Sequence, residues 1–178
     1  MTDKVYLIGF MACGKSTVAR ALADRLHWRA EDVDDLIEAR EHRTVAEIFA
    51  RQGEPYFRAV EREMLALVQP LRHVVVATGG GTFVDPENRQ RMLRDGLVVW
   101  LDVPLEDLIP RIPLDGRRPL AATRAQLERL YAARVEHYRL AHVRLAVPGT
   151  VPAGVVVDHI VDAVTRGSAL LGPPAVDP

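Results

Sequence analysis

The sequence predicts an α/β domain built on a parallel sheet, and three observations carry that reading. A short β-prone run, Val5-Tyr6-Leu7-Ile8, ends at Gly9 and leads into an amphipathic segment, in the order strand, glycine loop, helix. Two further apolar runs, at 74–77 and 97–101, do not alternate polar with apolar residues. Continuous β-branched runs of that kind suit a sheet covered on both faces. Helical stretches lie between the runs, and parallel strands need such crossovers.

Taken in order, residues 16–26 place Val18, Ala21, Leu22 and Leu26 at helical spacing. A short strand through Arg29 ends near the acidic run Glu31-Asp32-Val33-Asp34-Asp35. Helices are expected at 34–40, 45–52 and 54–68, before the 74–77 strand stops at Gly79-Gly80-Gly81. The helix at 86–94 opens on proline, and the 97–101 strand stops at Asp102 and Pro104. A long helix at 123–142, a strand at 143–147 and a helix at 151–165 complete the pattern. Residues 112–122 hold two prolines, a glycine and adjacent arginines, and read as a loop of the length used for lids and binding segments. Residues 167–178, with Gly172-Pro173-Pro174, read as a flexible tail. No repeat or long linker divides the chain, so a single domain over 1–166 is expected.

The 178 residues (19.8 kDa) are enough for one core that buries about 70% of the unfolded surface. Hydrophobic residues make up 48% and charged residues 26%, which excludes a disordered or fibrous chain. Basic and acidic residues nearly cancel, 23 against 24, so no global field recruits nucleic acid or an anionic membrane. Local clusters must do any anion binding. The lone Cys13 excludes an intramolecular disulfide. The opening Met1-Thr2-Asp3-Lys4 leads into only four apolar residues, and no run approaches the roughly 20 that a membrane helix needs. A soluble cytoplasmic protein is expected.

Gly9-Phe10-Met11-Ala12-Cys13-Gly14-Lys15-Ser16 fits the phosphate-binding pattern G-x-x-x-x-G-K-S/T, after a buried strand and at a helix start. Its glycines let backbone N–H groups curl around phosphate oxygens, and the helix N-terminus adds partial positive charge. Lys15 would reach the β- and γ-phosphates and the Ser16 hydroxyl would ligate Mg²⁺. The alternative is a glycine turn that merely caps a helix. Asp32, Asp34 and Asp35 could hold magnesium and accept a proton from a hydroxyl, or Asp34 or Asp35 could simply cap the following helix. Gly79-Gly80-Gly81 either admits a ligand close to the backbone or makes a turn. Arg58 and Arg134 read equally as solvated surface residues. Arg117 and Arg118 could stabilise a transferring phosphoryl group or belong to an ordinary basic loop. The histidines have no metal-ligand spacing and are assigned no chemistry.

Gly9 to Thr17 (GFMACGKST), Asp32-Val33-Asp34, Phe57-Arg58, Gly79-Gly80-Gly81 and Arg118-Pro119-Leu120 occur in the order and approximate spacing of shikimate kinases. The sequence resembles that family over residues 4–165. The resemblance implies a P-loop NTPase fold similar to nucleoside monophosphate kinases: three αβα layers, a five-stranded parallel sheet in order 2-3-1-4-5, a substrate-binding segment at 34–64 and a mobile lid at 112–122. It implies transfer of the ATP γ-phosphoryl group to the 3-hydroxyl of shikimate, with Mg²⁺, in aromatic amino acid biosynthesis. In that scheme Lys15, Asp34 and Arg118 are catalytic, with Asp34 contacting the hydroxyl and accepting its proton. Ser16 and Asp32 serve the metal. Arg58 and Arg134 grip the substrate carboxylate, and Gly79, Gly80 and Gly81 lie against the substrate. ATP is held by Ala12, Cys13, Gly14, Lys15, Ser16, Thr17, Arg111, Arg118 and Pro152.

The sequence departs from the family at Gly149-Thr150-Val151, which lacks the basic or polar residues expected beside adenine, and at Cys13, where Ser or Gly is more usual. Arg117 has no counterpart. The expected partners are shikimate and ATP, without nucleic acid or membrane, and the expected state is a monomer. The alternatives are a kinase of another polyol acid or cyclitol, such as gluconate or a shikimate analogue, a nucleoside monophosphate kinase, and a non-catalytic nucleotide-dependent switch.

Overall fold

Every residue of β1 (Lys4–Ile8) is buried. Successive strand side chains point to opposite faces, so full burial requires cover on both. In the computed structural model, which describes residues 2–112, 123–148 and 151–166, β1 is the central strand. It runs between β3 (Val74–Ala77) and β4 (Leu97–Asp102), with β2 (Arg29–Asp32) and β5 (Val143–Ala146) at the edges, and leads into α1 (Lys15–Leu26). All pairings are parallel and the order is β2-β3-β1-β4-β5, with Val5 opposite both Val75 and Leu97. The expected order therefore holds. The β-branched runs of β3 and β4 fill the core, whereas β2 and β5, at the edges, are partly exposed.

The crossovers are α2 (Val33–Glu41), α3 (Val45–Val68), α4 (Pro86–Asp95), the short α5 (Leu105–Leu108) with a 3₁₀ turn (Ile109–Arg111), α6 (Arg124–Tyr138) and α7 (Ala153–Arg166). Thr44 and Glu47 close a reciprocal capping box on α3, and Thr123 and Gln126 do the same on α6. The two helices expected at 45–52 and 54–68 form α3, which breaks at Gly53 (φ 79°, ψ 174°). Only glycine adopts that conformation without strain, and Pro55 removes a donor from the same turn.

Most element bounds differ from expectation by a residue or two, and three of the differences have a visible cause. The helix expected to reach residue 142 stops at Tyr138, where Leu140 and Ala141 N–H turn back to His137 and Tyr138 carbonyls. The last helix starts at Ala153, its first turn bonded to the Pro152 carbonyl. The α2 cap is Asp32, not Asp34 or Asp35. Most of the lid segment (113–122, with Arg117 and Arg118), Gly149-Thr150 and the tail at 167–178 lie outside the described residues. Among the described residues no helix is long and apolar enough to cross a membrane.

Candidate active site

Ligands of open parallel sheets bind beyond the carboxyl ends of the strands. Here β1, β2 and β3 deliver the glycine loop, the acidic run and the triple glycine to that end, around a cleft of about 490 Å³.

The loop after β1 keeps its backbone free for an anion. Gly14 takes the α1 N-cap position in a left-handed conformation (φ 92°), and no side chain caps the helix. The first N–H groups of α1 are thus left without the intrahelical partners that later residues have. Lys15 folds over the loop, its Nζ donating to the carbonyls of Gly9 (3.0 Å) and Phe10 (2.8 Å). Cys13 is buried inside the loop with its sulfur 3.6 Å from that ammonium.

Asp32 joins the loop to α2. One carboxylate oxygen accepts from the Ser16 hydroxyl at 2.5 Å, and the other caps α2 by accepting from Asp34 N–H at 3.0 Å. The serine and aspartate thus place two hard oxygen donors side by side at the helix start. Magnesium commonly takes one or two protein oxygens and completes its shell with phosphate and water, so these two side chains fit it. Among the described residues no larger cluster of acidic, histidine or cysteine side chains offers a metal cage. Burial and the neighbouring Asp32 charge raise the pKa of Asp35 from its ordinary value.

The three glycines are required by close approach rather than by backbone angle. A Cβ on Gly79 would stand 2.9 Å from Asp34 Oδ1, and one on Gly80 would stand 2.9 Å from an Arg134 guanidinium nitrogen. One on Gly81 would overlap the Arg58 guanidinium. Each glycine therefore abuts one of three side chains expected to hold substrate. Ser16, Asp32, Asp34, Arg58 and Arg134 line one cleft, and Lys15 lies on the adjoining loop.

Arg58 and Arg134 are not solvated surface residues. Arg58 binds Glu61 (2.8 Å) and Glu54 (3.1 Å); burial opposes its charge, but the two carboxylates outweigh it and raise its pKa. Arg134 is 7% exposed and pairs with no carboxylate among the described residues, and burial lowers its pKa. Its guanidinium lies over the Phe10 ring, 5.7 Å from the centroid. Arg111 and Pro152 follow β4 and β5 and do not line the cleft.

Sequence reasoning missed Glu61, which is fully buried, accepts from the Thr82 hydroxyl at 2.7 Å and orients Arg58. The signal was present: Glu61 falls on the apolar stripe of α3 with Phe57, Val60, Met64 and Leu65. It also missed the apolar wall of Phe49 and Phe57, whose rings lie 4.7 Å apart, and Glu38, which accepts from Val45 N–H and ties α2 to α3 beside the cleft.

The family model of shikimate kinase matches residues 11–165. A shikimate kinase of Persephonella marina is 39% identical over 153 residues, covering 85% of this chain and 93% of the relative. One from Synechococcus elongatus is 39% identical over 163 residues, covering 90% and 85%. Among solved structures, Acinetobacter baumannii shikimate kinase in complex with shikimate superposes with a TM-score of 0.88 at 31% identity, covering 95% of this chain and 96% of that one. A Sinorhizobium meliloti gluconokinase reaches 0.61 at 17% identity, covering 94% of each, and shares the fold alone. A match along nearly the whole length, by family model and relatives alike, places this chain in the shikimate kinase family.

Proposed function

We propose that this chain transfers the γ-phosphoryl group of ATP to the 3-hydroxyl of shikimate, giving shikimate 3-phosphate and ADP. The observation that carries the substrate reading is Arg134, a buried guanidinium lining the cleft with no carboxylate in salt-bridge distance among the described residues. A carboxylate-bearing acceptor supplies that partner and can be held by two parallel charged hydrogen bonds. Arg58, preset by Glu61, gives a second cation beside it. The sugar-like ring would lie against Phe49 and Phe57, with its hydroxyls toward Asp34.

In the transfer the bond from the acceptor oxygen to phosphorus forms while the bond from phosphorus to the β,γ-bridging oxygen breaks. The hydroxyl proton passes to Asp34 and the negative charge leaves on ADP. Lys15 and the N–H groups of the loop from Ala12 to Thr17 hold the β- and γ-phosphates, so catalysis is mainly positioning and charge stabilisation. Ser16 and Asp32 would hold Mg²⁺, which when bound neutralises charge on the phosphates. The roles of Arg118 as a phosphate ligand, and of Arg111 and Pro152 beside adenine, rest on the family resemblance.

The test is coupled ADP release from MgATP with and without shikimate, using gluconate, quinate and CMP as comparison acceptors. Saturable release specific to shikimate is the expected result. Release with another acceptor alone would overturn the substrate, and release indifferent to all of them would overturn the kinase reading.

A further inference from the structure

Tyr138 lies one helical turn after Arg134, so both side chains leave the same face of α6. Both reach Gly80. Arg134 borders its Cα, as the Cβ contact above shows, and the Tyr138 hydroxyl donates a hydrogen bond to its carbonyl oxygen. The phenol is 1% exposed and packs against Trp100 with ring centroids 5.9 Å apart, so its hydroxyl is held in place. Burial raises its pKa above the ordinary phenol value, and the hydroxyl keeps its proton at neutral pH.

A trans peptide is planar, with its C=O and N–H pointing in opposite directions. Tying the Gly80 oxygen back to α6 therefore turns the N–H of Gly81 away from α6. Gly81 lines the cleft beside the Arg58 guanidinium, and its N–H meets no backbone carbonyl among the described residues. A peptide between two glycines has no Cβ to restrict its rotation, so a tether matters more here than elsewhere.

We propose that Tyr138 is a positioning residue for the acceptor site: its hydroxyl fixes the Gly80–Gly81 peptide so that the Gly81 N–H stands ready, beside Arg58 and Arg134, as a further donor to the acceptor's carboxylate. The proposal rests on the function given above for the identity of the acceptor. It adds a residue to which neither the phosphate loop nor the arginine pair points.

The experiment is steady-state kinetics and thermal melting of Tyr138→Phe, which removes only the hydroxyl. Tyr131→Phe is the control, because it removes a similar hydroxyl-to-carbonyl bond on the same helix, to Val103 at 3.2 Å, away from the triple glycine. Tyr138→Phe is expected to raise the shikimate KM about five- to tenfold, with kcat within about twofold and the ATP KM unchanged, the size expected for one hydrogen bond. Its melting temperature should match that of Tyr131→Phe. An unchanged shikimate KM would overturn the proposal. So would an equal rise in Tyr131→Phe, or a joint shift of both KM values, kcat and melting temperature. If the wild-type enzyme prefers another carboxylate acceptor of the panel, the function above fails while the same KM ratio, taken with that acceptor, still tests Tyr138.

Discussion

Replacing Arg134 with Met separates a ligand-binding arginine from a structural one by the sign of two effects. The guanidinium is 7% exposed and has no carboxylate partner among the described residues. A buried charge with no salt-bridged carboxylate costs several kcal/mol, of which the Phe10 face, 5.7 Å away, returns about 2 kcal/mol at most and Tyr138, Glu61 and Glu54 a further part. Methionine keeps much of the stem's packing and removes the charge. The unliganded protein should therefore gain about 1 kcal/mol, or about 2–4 °C in melting temperature for a chain of this size. Binding should move the other way. Loss of two charged hydrogen bonds, each worth about 1.5–3 kcal/mol, raises the shikimate KM by about a hundredfold or more. Differential scanning fluorimetry with and without shikimate, alongside steady-state kinetics, measures both. The wild-type melting point should rise with shikimate and the variant's should not. A variant that melts several degrees lower and keeps its shikimate KM would refute the reasoning, because Arg134 would then be part of the scaffold.

Two further outcomes follow from the same geometry. Lys15→Met removes a cation whose polar contacts in the structure are two loop carbonyls and the Cys13 sulfur, so melting should shift little while kcat falls at least about a hundredfold in the ADP-release assay. His142 is neutral in the fold: its Nδ1 accepts from Val98 N–H at 3.1 Å, and burial lowers its pKa below the ordinary imidazole value of 6.5. The unfolded chain therefore takes up a proton that the folded ring refuses, and this contribution to stability is present above pH 6.5 and lost as pH falls toward the folded pKa. Urea melts at acid and neutral pH should show a smaller pH dependence in His142→Asn than in the wild type.

The central half of the sheet was legible because β1, β3 and β4 are buried on both faces and show continuous apolar runs. The edge strands are less so. β2, with the sequence RAED, carries no apolar signal, and its strand character comes from pairing with β3 rather than from its side chains. The phosphate loop is readable because a local pattern performs a local task. Arg58 and Arg134 are not, since the Gly81 that Arg58 abuts and the Gly80 and Phe10 that Arg134 abuts are distant in sequence, and burial is a property of the assembled cleft. Glu61 sat visibly on an apolar helix stripe, one turn after Arg58, but without the fold nothing said that Thr82 would meet it there.

The two most buried cations, Lys4 and Arg134, show how the same desolvation is met in two ways. Lys4 is fully buried at the foot of β1, and its ammonium is surrounded: Asp95 at 2.6 Å, and the carbonyls of Val68 and Gln69 at 3.2 and 2.6 Å. Tyr6 donates to the same Asp95 oxygen at 2.5 Å. Those carbonyls close the C-terminus of α3, where a cation is favoured, so Lys4 fastens to the sheet the helix that carries Arg58 and Glu61. That network is complete without a ligand. At the opposite end of the sheet, Arg134 has the Phe10 face and the Tyr138 phenol for neighbours, with Glu61 and Glu54 acting on it from beyond salt-bridge distance among the described residues. A chain able to satisfy one buried cation with three oxygen partners has the means to satisfy another. That Arg134 instead faces a cleft lined by glycines is best explained if the missing anion arrives with the substrate.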